Sequence, residues 1–302
     1  MYDQFVRGSR WVDMRPCLGN GGKHMLCHYS TAIGVTQGGN GNTVQEAIDA
    51  INRFMREFPG ELVILDVNNE SGFDTDHIIE PEDPNNGPSW EYPRLTDAQW
   101  RPILSLLSSG IERPCLNMGG DLTRKTMYDF IGDGRGCVAT VVRSINQDVI
   151  DGGATGTKGQ YRSSSIGQFN QYSDSDTSSI MAKDQITKLH NNRVILAESD
   201  ARNRDQFFVL SWTLTGLGLA IQDMAAGAFT HLFGFGFHEF TPFSYPNVLY
   251  LDYVGAPYSV SLDLSQEEKL RDSTSDLITL ALAVNLQIAS QNCHVGGGSL
   301  TA

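Results

Sequence analysis

The residues best suited to chemistry stand at the ends of short apolar runs. Asp13 and Arg15 lie two apart at the end of the first strand-like segment, Ser9 to Pro16, so both point to one side of the chain. His28 follows Arg15 by 13 residues, beyond a Gly-rich loop. Arg143 closes the β-rich run Cys137 to Val142, and Asp252 sits inside the apolar run Asn247 to Val254. Taken singly, Asp13 with Arg15 reads as a surface ion pair and His28 as an ordinary histidine. Taken in order, they suggest one site. A guanidinium donates two parallel hydrogen bonds to adjacent oxyanion oxygens. An imidazole exchanges a proton near neutrality. Such a set can hold a phosphate-like anion and move a proton beside it.

The elements that must position these residues alternate between strand-like and helix-like segments, which argues for an α/β fold with parallel strands. A Gly/Asn-rich loop containing Gly38 to Asn42 precedes Thr43, which caps an amphipathic helix from Val44 to about Phe58. Ala47, Ile48, Ile51, Phe54 and Met55 recur in it at helical spacing. Pro59-Gly60 ends it, and Leu62-Val63-Ile64-Leu65 then reads as a buried strand. A loop with Pro81, Pro84, Pro88 and Pro93 suggests a lid or an insertion. Helices are expected over Thr96 to Leu107, Ile180 to Asn191 and Ser273 to Ala289, and strands over Ile166 to Tyr172, Phe207 to Leu214 and Asn247 to Val254. The stretch Leu232 to Phe237 reads as a strand or packed loop, with a membrane-touching loop as the alternative. About six strands are legible, against the eight of a closed barrel.

The order of motifs resembles the X-type catalytic region of the phosphatidylinositol-specific phospholipase C superfamily. It runs Gly8-Ser9-Arg10-Trp11-Val12-Asp13-Met14-Arg15, then Cys27-His28-Tyr29, then Pro59-Gly60-Glu61-Leu62-Val63-Ile64. Arg135 to Arg143 looks like the family's Arg-Gly strand that ends in a head-group arginine, and Asn247 to Val254 like its last barrel strand. The resemblance implies a TIM-type (β/α) barrel, irregular and incomplete at its N-terminus, filling residues 1–292 as one domain with a flexible tail at 293–302. It implies that Arg15 contacts the phosphate, that His28 is the general acid, and that Asp252 orients a catalytic histidine. Head-group contacts would come from Arg143, Asp184, Asn69 and Asp13. The eukaryotic branch has an acidic calcium ligand where Arg15 stands, so no metal and no cofactor are expected here. A glycerophosphodiester phosphodiesterase-like enzyme would need a Glu, Asp and His metal site, against which Arg15 also argues.

The implied function is phosphodiester hydrolysis in lipid metabolism, by cyclising phosphotransfer and then hydrolysis. The family's first histidine lies on an earlier strand in a Thr/Ser-His-Asp/Asn motif. Only 12 residues precede Asp13 and none is histidine. The expectation is a truncated chain, or a divergent one without that base. A non-catalytic barrel that binds phosphorylated head-groups or a protein partner is therefore the alternative.

Bulk properties frame this reading. The 302 residues are 40% hydrophobic and 19% charged, with a net charge of −13. That acidity makes the chain a poor non-specific binder of nucleic acid and of anionic lipid surfaces alike. The family resemblance implies a phospholipid or glycosylated phosphoinositide head-group as the partner, held by a local basic site, with transient membrane-surface contact. No apolar run reaches the ~20 residues of a membrane helix. The longest, Leu277 to Ala289, is broken by Asn285 and Gln287. Of five cysteines, Cys17 and Cys27 could close a short loop, or all could be buried and reduced. The odd count leaves a free thiol or a partner elsewhere. An extracellular location is expected, its signal lost with the N-terminus.

Overall fold

A computed structural model describes residues 1–32, 35–79, 91–143, 145–150, 156–193, 206–216, 221–241, 243–254, 257–259 and 270–292. The expected lid across Pro81 to Pro88, the thiol of Cys293 and the 293–302 tail lie outside these residues. The chain divides into two compact units, Met1–Gly167 and Gln168–Ala302.

The first unit contains α1 (Tyr2–Val6), β1 (Trp11–Met14), β2 (Pro16–Gly19), β3 (Lys23–Ala32), β4 (Val35–Thr43), α2 (Val44–Glu57), β5 (Leu62–Val67), α3 (Asp97–Gly110), α4 (Met127–Ile131), β6 (Cys137–Val142) and β7 (Gln160–Arg162). Strands β1, β5, β6 and β7 form one parallel sheet in that order. Parallel neighbours need crossover segments, and α2 and α3 supply the first two. Both helices start on a capping box. Thr43 Oγ1 accepts from Glu46 N at 3.1 Å while the Glu46 carboxylate accepts from Thr43 N at 2.7 Å; Thr96 and Gln99 repeat the arrangement. The helical spacing in α2 buries Ala47, Ile48, Ile51, Phe54 and Met55 as expected. They pack with Met14, Val63, Leu65, Val67, Val138 and Val142 from one face of the sheet, and with α3. Alternation along each strand leaves Asp13 and Asp66 on the other face.

The loop expected at Gly38 to Asn42 is instead part of β4, paired antiparallel with β3, which in turn pairs with β2. Glycine makes this possible. A Cβ at position 38 would overlap the His28 carbonyl oxygen and lie 2.7 Å from Tyr29 Cα. His28 accordingly sits within a strand and not in a turn. The cysteines form two disulfides, Cys17–Cys27 across the β2–β3 hairpin and Cys115–Cys137 at the start of β6.

The second unit contains β8 (Gln168–Asn170), α5 (Ser178–Asn192), β9 (Phe207–Ser211), α6 (Ile221–Gly234), β10 (Val248–Tyr250), β11 (Pro257–Ser259), β12 (Leu270–Asp272) and α7 (Ser273–Asn292). Strands β8, β9 and β10 form a second parallel sheet in sequence order. Phe169, Phe208, Leu210, Trp212, Leu249 and Leu251 pack from one of its faces against α5 and α6. The strands expected at Ile166 to Tyr172 and Asn247 to Val254 are each trimmed to three residues. The stretch from Leu232 is the end of α6 followed by a 3-10 turn, Gly236–Glu239, and not a strand. Ala225, Ala228, Phe229 and Leu232 are buried at helical spacing and carry the helix into it. Among the described residues the parallel strands make an α/β fold in which no sheet closes on itself.

Candidate active site

The polar face of the first sheet is organised by register. Asp13 on β1 is the cross-strand partner of Asp66 on β5. The ladder continues past the strands: Asn68 N donates to Met14 O at 3.0 Å and Arg143 N to Val67 O at 2.7 Å. Arg15, Asn68 and Arg143 thus stand side by side, one layer beyond the two aspartates, at the carboxyl ends of three strands.

Each arginine is held by a carboxylate of the layer below. Arg15 Nε and Nη2 donate to Asp13 Oδ2 at 2.8 and 2.6 Å. Nη2 also meets Glu70 Oε2 at 2.8 Å. Asn68 Nδ2 donates to the other oxygen of Asp13. Arg143 Nε donates to Asp66 Oδ1 at 2.5 Å. The side chains of Arg15 and Arg143 are each 14% exposed and Asp66 only 6%, whereas Glu70 is 50% exposed. Arg143 Nη2 is buried and has no hydrogen-bond partner among the described residues. A buried donor left unpaired costs roughly 1–3 kcal/mol. An anion placed there removes that cost.

His28 reaches this group from β3. The backbone N–H of Cys27 donates to the Arg15 carbonyl at 2.9 Å. On the other side, Tyr29 N donates to the Ser71 hydroxyl at 2.9 Å, and that hydroxyl donates to the Tyr29 carbonyl at 3.2 Å. The ring is open to solvent on one side. Burial of the remainder holds its pKa below the usual histidine value; the Arg15 charge pushes the same way, and Asp13 opposes them. An imidazolium beside a guanidinium is a stronger acid than a free one. A negative charge bound at Arg15 would offset the Arg15 part of that shift.

The other expected residues are placed as follows. Asn69 lies just past β5, with its Oδ1 buried and unpaired among the described residues. Arg94 donates to the carbonyls of Asn69 and Glu70 at 2.7 and 2.8 Å and stacks on Phe73, which fixes this turn. Asp184 and Asp252 belong to the second unit. Asp184 is on α5, not at a strand end, and takes Lys188 Nζ at 2.6 Å while that ammonium also donates to the Tyr172 carbonyl at 2.7 Å. Asp252 follows β10 and shares the alternation of Tyr250, opposite the core residues Leu249 and Leu251. On that same polar face Ser211 Oγ donates to Asn170 Oδ1 at 2.5 Å, while Gln185 Oε1, from α5, accepts from the Ser211 backbone N–H at 3.1 Å. The structure thus brings Asp13, Arg15, His28 and Arg143 into one neighbourhood and adds Asp66, Asn68 and Glu70. Of these additions only Asp66 had a signal in sequence, as a lone charge inside an apolar strand. Among the described residues no group of three or more His, Cys, Asp or Glu side chains is arranged to hold a metal ion, and no helix is long and apolar enough to cross a membrane.

No family model and no curated protein matches this sequence. Solved structures do match its fold. Three structures of the phosphatidylinositol-specific phospholipase C from Staphylococcus aureus superpose with TM-scores of 0.55, 0.54 and 0.53 at 12% identity. Each covers 92% of this chain and 81–82% of the enzyme. One of the three concerns the modulation of that enzyme's membrane binding. These superpositions show that the chain has the fold of that bacterial phosphatidylinositol-specific phospholipase C.

Proposed function

We propose that this chain is a phosphodiesterase-type (β/α) barrel whose site takes the phosphate of a phosphatidylinositol or glycosylated phosphoinositide head-group. The observation that carries this reading is the convergence of Arg15 and His28 at the carboxyl end of β1, one residue away from a direct backbone hydrogen bond. Arg15 and Arg143 hold the phosphoryl oxygens, and Asp13 and Asp66 keep their forks in place. His28 gives its proton to the leaving alkoxide. Asn69 and Asp184 contact the head-group, and Asp252 orients an imidazole, as the family resemblance implies. No metal enters this scheme, since the guanidinium of Arg15 supplies positive charge at the phosphate. Removing one such contact typically lowers rate by about 10²–10³. Each of the two parallel sheets has an apolar face under helices and a polar face opposite; a single barrel domain over residues 1–292 is what the family resemblance implies. The two disulfides support an extracellular setting, where transient contact with a lipid surface brings enzyme and substrate together.

A specific observation favours a second reading. Among the described residues, His28 is the histidine whose titration responds to Arg15, whereas cyclising transfer needs a proton acceptor as well as a donor. In that reading the chain binds phosphorylated head-groups without turnover. The test incubates the protein with phosphatidylinositol vesicles without calcium and measures release of cyclic inositol phosphate. Release that disappears in Arg15→Ala and His28→Ala supports the enzyme. No release, with inositol phosphate binding that depends on Arg15 and Arg143, supports the binding module. Absence of both rejects the phosphate site.

A further inference from the structure

The His28 ring makes no hydrogen bond among the described residues, so its position depends on the backbone that carries it. That backbone is tied on both sides to the segments that carry Arg15 and Glu70. Cys27, one residue before His28, is bonded through sulfur to Cys17, two residues after Arg15. The same Cys27 donates its N–H to the Arg15 carbonyl. Tyr29, one residue after His28, has both its N–H and its carbonyl engaged by the hydroxyl of Ser71, the residue after Glu70. Both anchors are internal: Cys17 and Ser71 are 0% exposed and Cys27 7%. Solvent access at His28 therefore coexists with a fully buried mount.

We infer that the Cys17–Cys27 disulfide and the Ser71 hydroxyl are positioning groups that clamp His28 against Arg15. This rests on the reading of Arg15 and His28 as one site. The second disulfide, Cys115–Cys137, joins the start of β6 to the segment before it and touches neither residue. It is the internal control, because its loss removes a cross-link of the same chemistry without releasing β3. The charged groups that act on His28 are Arg15 and Asp13, and the ion pair that holds them together does not run through the clamp. What changes is the distance from the ring to them.

Titration of His28 by NMR reads both the burial of the ring and its distance from Arg15, without requiring turnover. In the intact protein the ring titrates below an ordinary histidine. Replacing Cys17 and Cys27 by alanine, or Ser71→Ala alone, moves it back toward the ordinary value, as Arg15→Ala does. Replacing Cys115 and Cys137 by alanine leaves it unmoved. If turnover is present, both openings of the clamp lower kcat about ten- to hundredfold, the cost of a misplaced group, while KM changes little. An intact protein with an ordinary His28 titration overturns the inference. So does a titration unmoved in Ser71→Ala, which decides the matter where the cysteine variant does not fold. A clamp that passes the titration in a protein without phosphodiesterase activity leaves the inference standing and removes the enzyme reading.

Discussion

The Arg15 guanidinium lies between two carboxylates, with Asp13 at 2.6 Å and Glu70 at 2.8 Å from the same Nη2. Asp13 is 11% exposed and braced by Asn68, whereas Glu70 is 50% exposed and comes from a turn. An incoming phosphate therefore displaces Glu70 more readily than Asp13. Counting Asp13, Asp66 and Glu70 against Arg15 and Arg143, the cluster carries one excess negative charge, which opposes an anion. Glu70→Gln is expected to tighten inorganic phosphate binding about two- to fivefold, as befits a half-exposed pair. Calorimetric titration checks this, and weaker binding in the variant would rule out Glu70 as the displaceable partner.

Arg143 and Asp66 form a far less exposed pair, 14% and 6%. Asp66→Ala leaves the guanidinium buried with two unpaired donors. The expected loss is about 3–5 kcal/mol in urea unfolding. Replacing both, Arg143→Met with Asp66→Leu, should restore most of that stability but not phosphate binding. A single variant as stable as the parent would show that Asp66 does not brace Arg143.

Proton linkage at His28 gives a signed prediction. Its folded-state pKa lies below the ordinary 6.5. Between the two values the unfolded chain binds the proton and the folded one does not, so stability falls as pH drops through this window, and above it this group no longer changes stability. His28→Asn should remove that part of the acid sensitivity. Unfolding midpoints measured from pH 5 to 8 test it, and parallel curves for parent and variant would contradict the assignment.

Gly38 and Gly39 are adjacent on β4 yet differ in surroundings. A Cβ at Gly38 collides with the His28 carbonyl oxygen, while one at Gly39 meets nothing within 4 Å. Gly38→Ala must push β3 aside and is expected to cost about 1–3 kcal/mol, the range of overpacking, with a fall in any His28-dependent activity. Gly39→Ala should alter neither. Equal behaviour of the two variants in thermal unfolding and phosphodiester hydrolysis would refute the close approach.

Much of the scaffold is legible because its signals are local. The capping residues Thr43 and Thr96, the apolar period of α2 and the run Leu62 to Leu65 each specify their element within about one helical turn or one strand. The two-residue offset of Asp13 and Arg15 likewise guarantees a shared face. Pairing between distant segments leaves no such mark. The Gly-rich stretch at 38 to 42 looks like a loop until its backbone is needed close against His28, and only then does lack of a Cβ become a requirement for a strand. The family resemblance sets Asp184 at the head-group, a role its own segment does not mark; in the fold it lies on α5, tied to Lys188.

Residue pattern is enough for the α/β alternation and the approximate extents of α2, α3, α5 and α7, though not for α6, and together with the family resemblance it picks out Arg15 and His28 as candidates. It is silent on which carboxylate holds Arg143, on the joining of Cys115 to Cys137, and on Asn68 and Glu70 belonging beside Arg15; those follow from folding in three dimensions. The difference is one of range. Side-chain periodicity and caps depend on a few neighbouring dihedral angles, whereas register across β1, β5 and β6 comes from packing residues over fifty positions apart against one core.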